Sequence, residues 1–223
     1  GALATHRARM LWVLNAAIQY GLSEGDIYLG TMPQVHSAGL TFTLMHLYVG
    51  ATLRILEHFD PIRFLEIVDQ EKVTSSLTVP TMLTMILEAL ESSPGSYSLS
   101  SLKRVVTCGA PLSFVTKRRV IEKISDQLYD YYGSTESNSM SVLKPIDQLR
   151  KPDSVGQPFT NVEIMAADPD GKPLPPGRVG EIWCSNPSLF SCYVGQPEET
   201  KAAFTDCWFH TGDLGYLDAE NYL

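Results

Sequence analysis

Residues 60–80 read DPIRFLEIVDQEKVTSSLTVP. Asp60 followed by Pro61 is a helix start, an N-cap residue with proline at the first helical position, where its missing N–H costs nothing. The helix is expected to run to about Lys72. VTSSLTV, residues 73–79, is rich in β-branched residues and is expected to be a strand, closed by Pro80. One helix, a short link and one strand make the unit from which the rest of the chain is read.

The same alternation continues on both sides. Upstream, residues 7–20 (RARMLWVLNAAIQY) space their apolar groups as a helix does, and Gly21 supplies a stop. DIYLGTM, residues 26–32, reads as a strand ended by Pro33. Residues 37–48 are helix-like, and Gly50 leads into the strand ATLRIL. Downstream, a Met- and Leu-rich helix is expected to about Glu91, followed by the loop SSPGSYSLSS. LKRVVTC reads as a strand, residues 113–125 as a helix and QLYDYY as a short strand.

Strand–helix–strand alternation with short links predicts an α/β fold, a layered and mostly parallel sheet with covering helices. Ligands in such sheets sit at the carboxyl ends of the strands. The segments of interest are therefore Pro33–Gly39, Thr107–Pro111 and Tyr132–Asn138, the last read as a polar loop. The texture changes near residue 145, where Pro and Gly become frequent. Short strands such as NVEIMAA and VGEIWC come next, with a DPDG turn between them. Residues 1–149 are expected to form the α/β lobe and residues 150–223 part of a β-rich, barrel-like lobe.

The 223 residues suffice for a sizeable core, and 44% hydrophobic with 19% charged residues is ordinary globular composition. The formal charge of −8 argues against nucleic acid as a partner and against a polybasic membrane anchor. No apolar run is long enough for a membrane span. GALATHRARM has no signal-peptide core, and the opening on Gly1 in place of Met points to a fragment. Cys108, Cys184, Cys192 and Cys207 form no C-x-x-C pair and no zinc spacing. They are expected to be reduced thiols in a cytoplasmic protein.

Neither a P-loop, nor G-x-G-x-x-G, nor H-E-x-x-H, nor G-x-S-x-G is present. What stands out is Asp130-Tyr131-Tyr132-Gly133-Ser134-Thr135-Glu136. Two aromatic rings, a glycine, hydroxyls and carboxylates together can stack a base, admit a phosphate against the backbone and hold Mg²⁺. On composition alone a strand followed by an ordinary polar loop is the better explanation of the segment.

YYGSTE resembles the Y-G-x-T-E signature of the adenylate-forming superfamily, which includes acyl-CoA synthetases, nonribosomal adenylation domains and luciferases. Further resemblances occur in the family's order. Gly109-Ala110-Pro111-Leu112 is similar to G-G-A-P-L, Pro33 to Gly39 to P-x-x-H-x-x-G, and Ser154-Val155-Gly156-Gln157-Pro158 to S-V-G-x-P. Gly180-Glu181-Ile182 resembles G-E-[IL]. Tyr193 to Leu223 resembles the long segment through T-G-D-x-G. Thr5-His6-Arg7 resembles the segment directly after the family's phosphate loop.

The resemblance implies an ATP-dependent acid–CoA ligase. A carboxylic acid is activated as an acyl-adenylate with loss of pyrophosphate, and the coenzyme A thiol then displaces AMP. It implies ATP or AMP and Mg²⁺ as cofactors. Tyr132 would stack on the adenine, with Gly109, Ala110 and Pro111 as the opposite wall and Asp130 at the adenine amino group. Tyr131, Gly133 and Ser134 belong to the same nucleotide motif. Thr135 would bond the α-phosphate, Glu136 would hold Mg²⁺, and Asp213 would accept from the ribose hydroxyls. His36, Ser37, Cys108 and Gly133 would border the acid-substrate pocket.

The chain also departs from the pattern. Cys108, Cys192 and Cys207 stand where the family has Gly, so Cys108 would shorten the acyl pocket and Cys207 would strain a Gly-type backbone. Asn221 replaces another Gly but tolerates a left-handed conformation. The resemblance places a phosphate loop before Gly1 and a lid with its catalytic lysine after Leu223. The isolated chain is therefore expected to be inactive. No carboxylate lies between Met32 and Leu56 to pair a substrate ammonium. This favours an acyl or aryl acid over an amino acid, with a nonribosomal adenylation domain or a non-catalytic binding module as alternatives.

Overall fold

A computed structural model describes residues 1–223. In chain order the elements are β1 (Ala2–Leu3), α1 (His6–Tyr20), β2 (Ile27–Gly30), α2 (Ser37–Tyr48), β3 (Thr52–Ile55), α3 (Pro61–Glu71) and β4 (Ser75–Thr78). Next come α4 (Pro80–Ser92), β5 (Arg104–Thr107), α5 (Phe114–Lys123), β6 (Leu128–Ser134), β7 (Asn138–Leu143) and β8 (Gln157–Pro158). The remainder comprises β9 (Glu163–Ala167), β10 (Gly180–Ser185), β11 (Cys192–Tyr193), α6 (Pro197–Ala202), β12 (Phe204–Thr205) and β13 (Trp208–Gly215).

The helix boundaries obey their capping chemistry. Asp60 accepts from the Arg63 backbone N–H at 2.7 Å, and Thr5 and Ser113 cap α1 and α5 in the same way. Gly21 ends α1 in the left-handed conformation, its N–H returning to the helix carbonyls. Lys72 ends α3 at φ 54°.

The large sheet has the order β3-β2-β4-β5-β6-β7-β8. β3, β2, β4, β5 and β6 are mutually parallel, as the alternation requires. β7 then reverses to pair antiparallel with β6, and β8 pairs antiparallel with β7. Residues 132–138, read from sequence as a polar loop, are thus the end of one strand, a tight turn and the start of the next. The polar run misled because β7 is buried on both faces: Met140 joins the core of the second sheet, and Val142 joins that under α1 and α2. The pair Gln157–Pro158, at the start of the Pro/Gly-rich part, adds the edge of the first sheet.

Two cores flank the large sheet. One joins α3, α4 and α5 through Phe64, Leu65, Leu83, Leu87 and Val120. The other joins α1 and α2 through Trp12, Tyr20, Phe42 and Met45, with Cys108 in its wall. The central strand β4 carries Ser75, Ser76 and Thr78, all buried, because each hydroxyl has a partner. Ser76 donates to Leu29 O at 2.7 Å, Thr78 donates to Val106 O at 3.0 Å, and Ser75 meets His46 Nε2 at 2.8 Å.

The second sheet has the order β12-β13-β10-β9 and is antiparallel throughout. Its β9–β10 link opens with the expected DPDG turn: Asp168 accepts from the N–H groups of Asp170 and Lys172, and Gly171 takes φ 78°. β1 pairs with β11. At the β12–β13 turn it is Asp206, with φ 52°, and not Cys207 that takes the left-handed position, so the strain expected at Cys207 is absent. Asn221 does adopt φ 64°.

Candidate functional site

A cleft of about 800 Å³ opens between the two sheets, at the carboxyl ends of β5 and β6. The turn after β5 contributes Gly109, Ala110 and Pro111; β6 contributes Asp130, Tyr131, Tyr132 and Gly133; β13 contributes Asp213. Residues 150–155 and Tyr222 form another wall.

A smaller cavity of about 220 Å³ adjoins it on the α1/α2 face of the sheet. His36, Ser37, Cys108, Ser134 and Thr135 line this second space, and Gly109, Tyr131 and Gly133 line both. Strand alternation explains the division. Asp130 faces α5, whereas Tyr131 faces α2 and stacks on Phe42 with ring centroids 5.9 Å apart. Gly133 must lack a side chain, because a Cβ there would lie 1.8 Å from Asn138 O in the hairpin partner.

His36 is first of all the N-cap of α2, its Nδ1 accepting from the Ala38 N–H at 3.2 Å. Cys108 is buried, and burial lifts its thiol to about 11, so it is a neutral wall and not a nucleophile. Glu136 lines neither cavity. It sits half-buried in the β6–β7 turn, close enough to Tyr193 to help raise that phenol, and its main chain anchors Phe190 N–H at 2.9 Å. No three His, Cys, Asp or Glu side chains gather in the chain. A single carboxylate suits Mg²⁺ shared with nucleotide phosphates, since that ion takes one or two carboxylates and completes its shell with phosphate and water.

Asp213 belongs to a held turn. Tyr132 Oη donates to its Oδ2 at 2.5 Å, and the Asp213 N–H donates to Thr211 Oγ1 at 3.1 Å. Burial and that hydrogen bond raise the Tyr132 phenol well above its ordinary range. Behind the turn, Glu181 on β10 accepts from the Gly212 N–H at 3.1 Å and from Trp183 Nε1 at 2.9 Å. The Trp183 ring stacks on His210 at 3.9 Å.

The structure adds residues that the motifs pass over. Lys117 is 1% exposed; its Nζ donates to Pro152 O at 3.1 Å and lies 3.8 Å from Asp130 Oδ2. Burial pushes Asp130 up to about 6 against the pull of that ammonium, and burial likewise lowers Lys117. In sequence Lys117 looks like one of three solvated basic residues with Arg118 and Arg119. The signal that identifies it is register: Lys117 shares a helix face with Val120 and Ile124, both buried. Arg150 and Lys151 also line the cleft but are committed elsewhere. Lys151 contacts Asp218 and Glu220 at 2.6 Å each, and Arg150 contacts Asp147 at 2.9 Å and Glu220 at 2.7 Å.

The family described as AMP-binding enzyme matches residues 1–194. A feruloyl-CoA synthase from Amycolatopsis is 33% identical over 100% of this chain and 45% of its own length. An indoleacetate–CoA ligase from Aromatoleum aromaticum is 32% identical over 100% of this chain and 44% of its own. The chain therefore spans a little under half the length of these relatives. Among solved structures, an amide bond synthetase from Marinactinospora thermotolerans superposes with TM-score 0.92 at 30% identity, covering 100% of this chain and 45% of that one. The O-succinylbenzoate coenzyme A synthetase of Bacillus subtilis in complex with ATP and magnesium ion superposes with TM-score 0.91 at 27% identity, covering 100% and 46%. With its mixed α/β fold, two-sheet cleft and ordered motifs, the chain belongs to the AMP-binding, adenylate-forming enzyme family.

Proposed function

We propose that this chain forms the nucleotide- and acid-facing walls of an AMP-forming acid–CoA ligase. Such an enzyme activates a carboxylic acid as its acyl-adenylate and passes the acyl group to the coenzyme A thiol. The observation that carries this reading is the junction of the two cavities. A nucleotide-sized cleft meets a smaller space across Gly109, Tyr131 and Gly133, so an acid in one would reach an α-phosphate in the other. In this reading Tyr132 and the Gly109–Pro111 turn enclose the adenine, Asp130 accepts from its amino group, and Asp213 accepts from the ribose. Thr135 would donate to the α-phosphate, and Glu136, next to it in the β6–β7 turn, would hold Mg²⁺ to neutralise phosphate charge. His36, Ser37, Cys108 and Gly133 border the acid.

The smaller cavity has no carboxylate in its lining, so a substrate ammonium would go unpaired there. This favours an acyl or aryl acid over an amino acid. The basic groups of the cleft, Arg150 and Lys151, are already engaged by carboxylates. The larger cleft's own lining therefore offers no cation without a carboxylate partner for the developing charge, and the 223-residue chain is proposed to bind without turnover. The division into an α/β lobe and a β-rich lobe, with β8 crossing back to the first sheet, belongs to this reading. So does a cytoplasmic location, with which four free thiols agree.

Pyrophosphate exchange by the whole protein across a panel of acids tests the proposal. Exchange with alkyl or aryl acids, then thioester formation with coenzyme A, is the expected result. Exchange confined to amino acids would replace this reading with an adenylation domain.

A further inference from the structure

Lys117 lies on α5, on the far side of the sheet from the acid cavity, and touches two walls of the nucleotide cleft at once. Its ammonium donates to the Pro152 carbonyl at 3.1 Å and stands 3.8 Å from the Asp130 carboxylate. Both side chains are shut from solvent, Lys117 at 1% exposure and Asp130 at 6%. A buried carboxylate without that partner would take up a proton, because burial disfavours the charged form.

We propose that Lys117 is a positioning residue for base selection: by keeping Asp130 an ionised, acceptor-only group in the cleft wall, it makes the site choose a purine with a 6-amino group over one with a 6-oxo group. The inference rests on the reading of the cleft as a nucleotide site. Its chemistry is that of donors and acceptors. An ionised carboxylate accepts from an amino N–H but meets a 6-oxo oxygen lone pair to lone pair. A protonated carboxyl carries one O–H and one acceptor oxygen, so it serves either purine and selection disappears. The Pro152 contact adds a second constraint, since it ties the 150–155 wall to the same ammonium.

The groups facing the pair are few. Asp153, on the wall that Lys117 anchors, adds negative charge and favours the ammonium. From the turn after β5 and from α1 come the Cys108 thiol and the Tyr20 phenol, both raised by burial and both neutral at physiological pH. Lys117 is therefore the cation that offsets the burial of Asp130. With Asp130 at about 6, the carboxylate is mostly ionised near neutral pH and mostly protonated below pH 5.

The test is calorimetric titration of the 223-residue chain with AMP and with IMP between pH 5 and 8. At pH 8 the wild-type chain should favour AMP by about tenfold or more, the size of one unmet buried hydrogen bond. The preference should fall towards parity as pH drops through about 6. In Lys117→Met the midpoint of that loss should move up by more than about one pH unit. Lys117→Arg should stay close to wild type, and Asp130→Asn should show no pH-dependent preference. Carbon NMR of the Asp130 carboxyl in wild type and Lys117→Met should report the same displacement. Equal weakening of AMP and IMP by Lys117→Met at every pH, with an unmoved Asp130 titration, would leave Lys117 a merely structural residue and overturn the inference. If Lys117→Met does not fold, Lys117→Arg and Asp130→Asn decide the matter: a pH-dependent preference that persists in Asp130→Asn overturns it. A wild-type chain that binds neither nucleotide defeats the nucleotide reading itself, whereas one that binds both equally at pH 8 defeats only the role of Lys117.

Discussion

Tyr132 on the large sheet and Asp213 on the small sheet are joined by a hydrogen bond of 2.5 Å across 81 residues of sequence. Both residues line the cleft, so the bond ties the wall built from one sheet to the wall built from the other. It also gives Asp213 one donor before any ligand arrives, so a ribose hydroxyl bound as proposed would meet the carboxylate's remaining lone pairs.

Removal of the carboxylate should therefore cost far more than removal of the phenol. Asp213→Ala is expected to weaken AMP binding about tenfold to a hundredfold, the range of a hydrogen bond to a charged acceptor. Tyr132→Phe keeps the ring and should change the affinity by about threefold or less. Calorimetry with AMP measures both, and a larger loss in Tyr132→Phe than in Asp213→Ala would contradict the assignment.

Glu181 should act on the ribose without touching it. Its carboxylate takes the Gly212 N–H and the Trp183 indole N–H, and so sets the turn that carries Asp213. Glu181→Ala is expected to weaken AMP by about three- to tenfold, while free adenine, which has no ribose, should bind as before. Glu181→Gln retains an acceptor oxygen and should lose less. Equal losses for AMP and adenine would show a general collapse of the cleft.

His46 should set part of the acid sensitivity of the fold. It is buried against Tyr28, with Nδ1 at 2.7 Å from Phe42 O and Nε2 at 2.8 Å from Ser75 Oγ. Burial lowers it from 6.5 to about 4, so the unfolded chain binds its proton first. Between those values the unfolded state holds more protons, and stability falls as pH falls, by at most about 1.4 kcal/mol per pH unit for this group. Asp130 acts in the opposite sense. Its raised folded value favours the folded state as pH falls from about 6 towards the ordinary aspartate value of 3.8. Denaturant titrations of wild type and His46→Gln from pH 7 to 4 separate the two, because Asp130 is common to both. The variant should gain on wild type as pH falls, and a constant difference would remove His46 from the account.

Glycine substitutions should divide by what a Cβ would meet. At Gly133 it would sit 1.8 Å from Asn138 O, and at Gly156, with φ 95°, it would sit 1.9 Å from the Val142 carbonyl carbon. Both contacts are backbone and cannot yield, so Ala at either position should destabilise by about 3 kcal/mol or more. Gly177 has φ 78° but open space around it, so Gly177→Ala should cost about 1 kcal/mol. Thermal unfolding of the three variants ranks them.

Much of this architecture was legible because its signals are local. Capping at Asp60, the stop at Gly21 and the β-branched run in β4 each act within a few residues, and the helices began and ended close to where those signals put them. The short motifs were legible too, and the cleft gathers Gly109–Pro111, Asp130–Gly133 and Asp213 from three separate stretches. The β6–β7 hairpin was not legible. Its polar residues look solvated, and only burial in the tertiary structure makes Ser139 and Ser141 part of an interior strand.

The sequence by itself determined the order of helices and strands from α1 to β6, the parallel sense of the five strands β2 to β6 and the family. Backbone propensity, caps and motif spacing are properties of neighbouring residues. Only the tertiary structure decided which charges are free and which are held. It turned Lys117 inward while Arg118 stayed exposed, tied Arg150 and Lys151 to distant carboxylates, and brought Tyr132 to Asp213. The reason is that desolvation and Coulomb attraction depend on distance and burial in space, and a one-dimensional pattern carries neither.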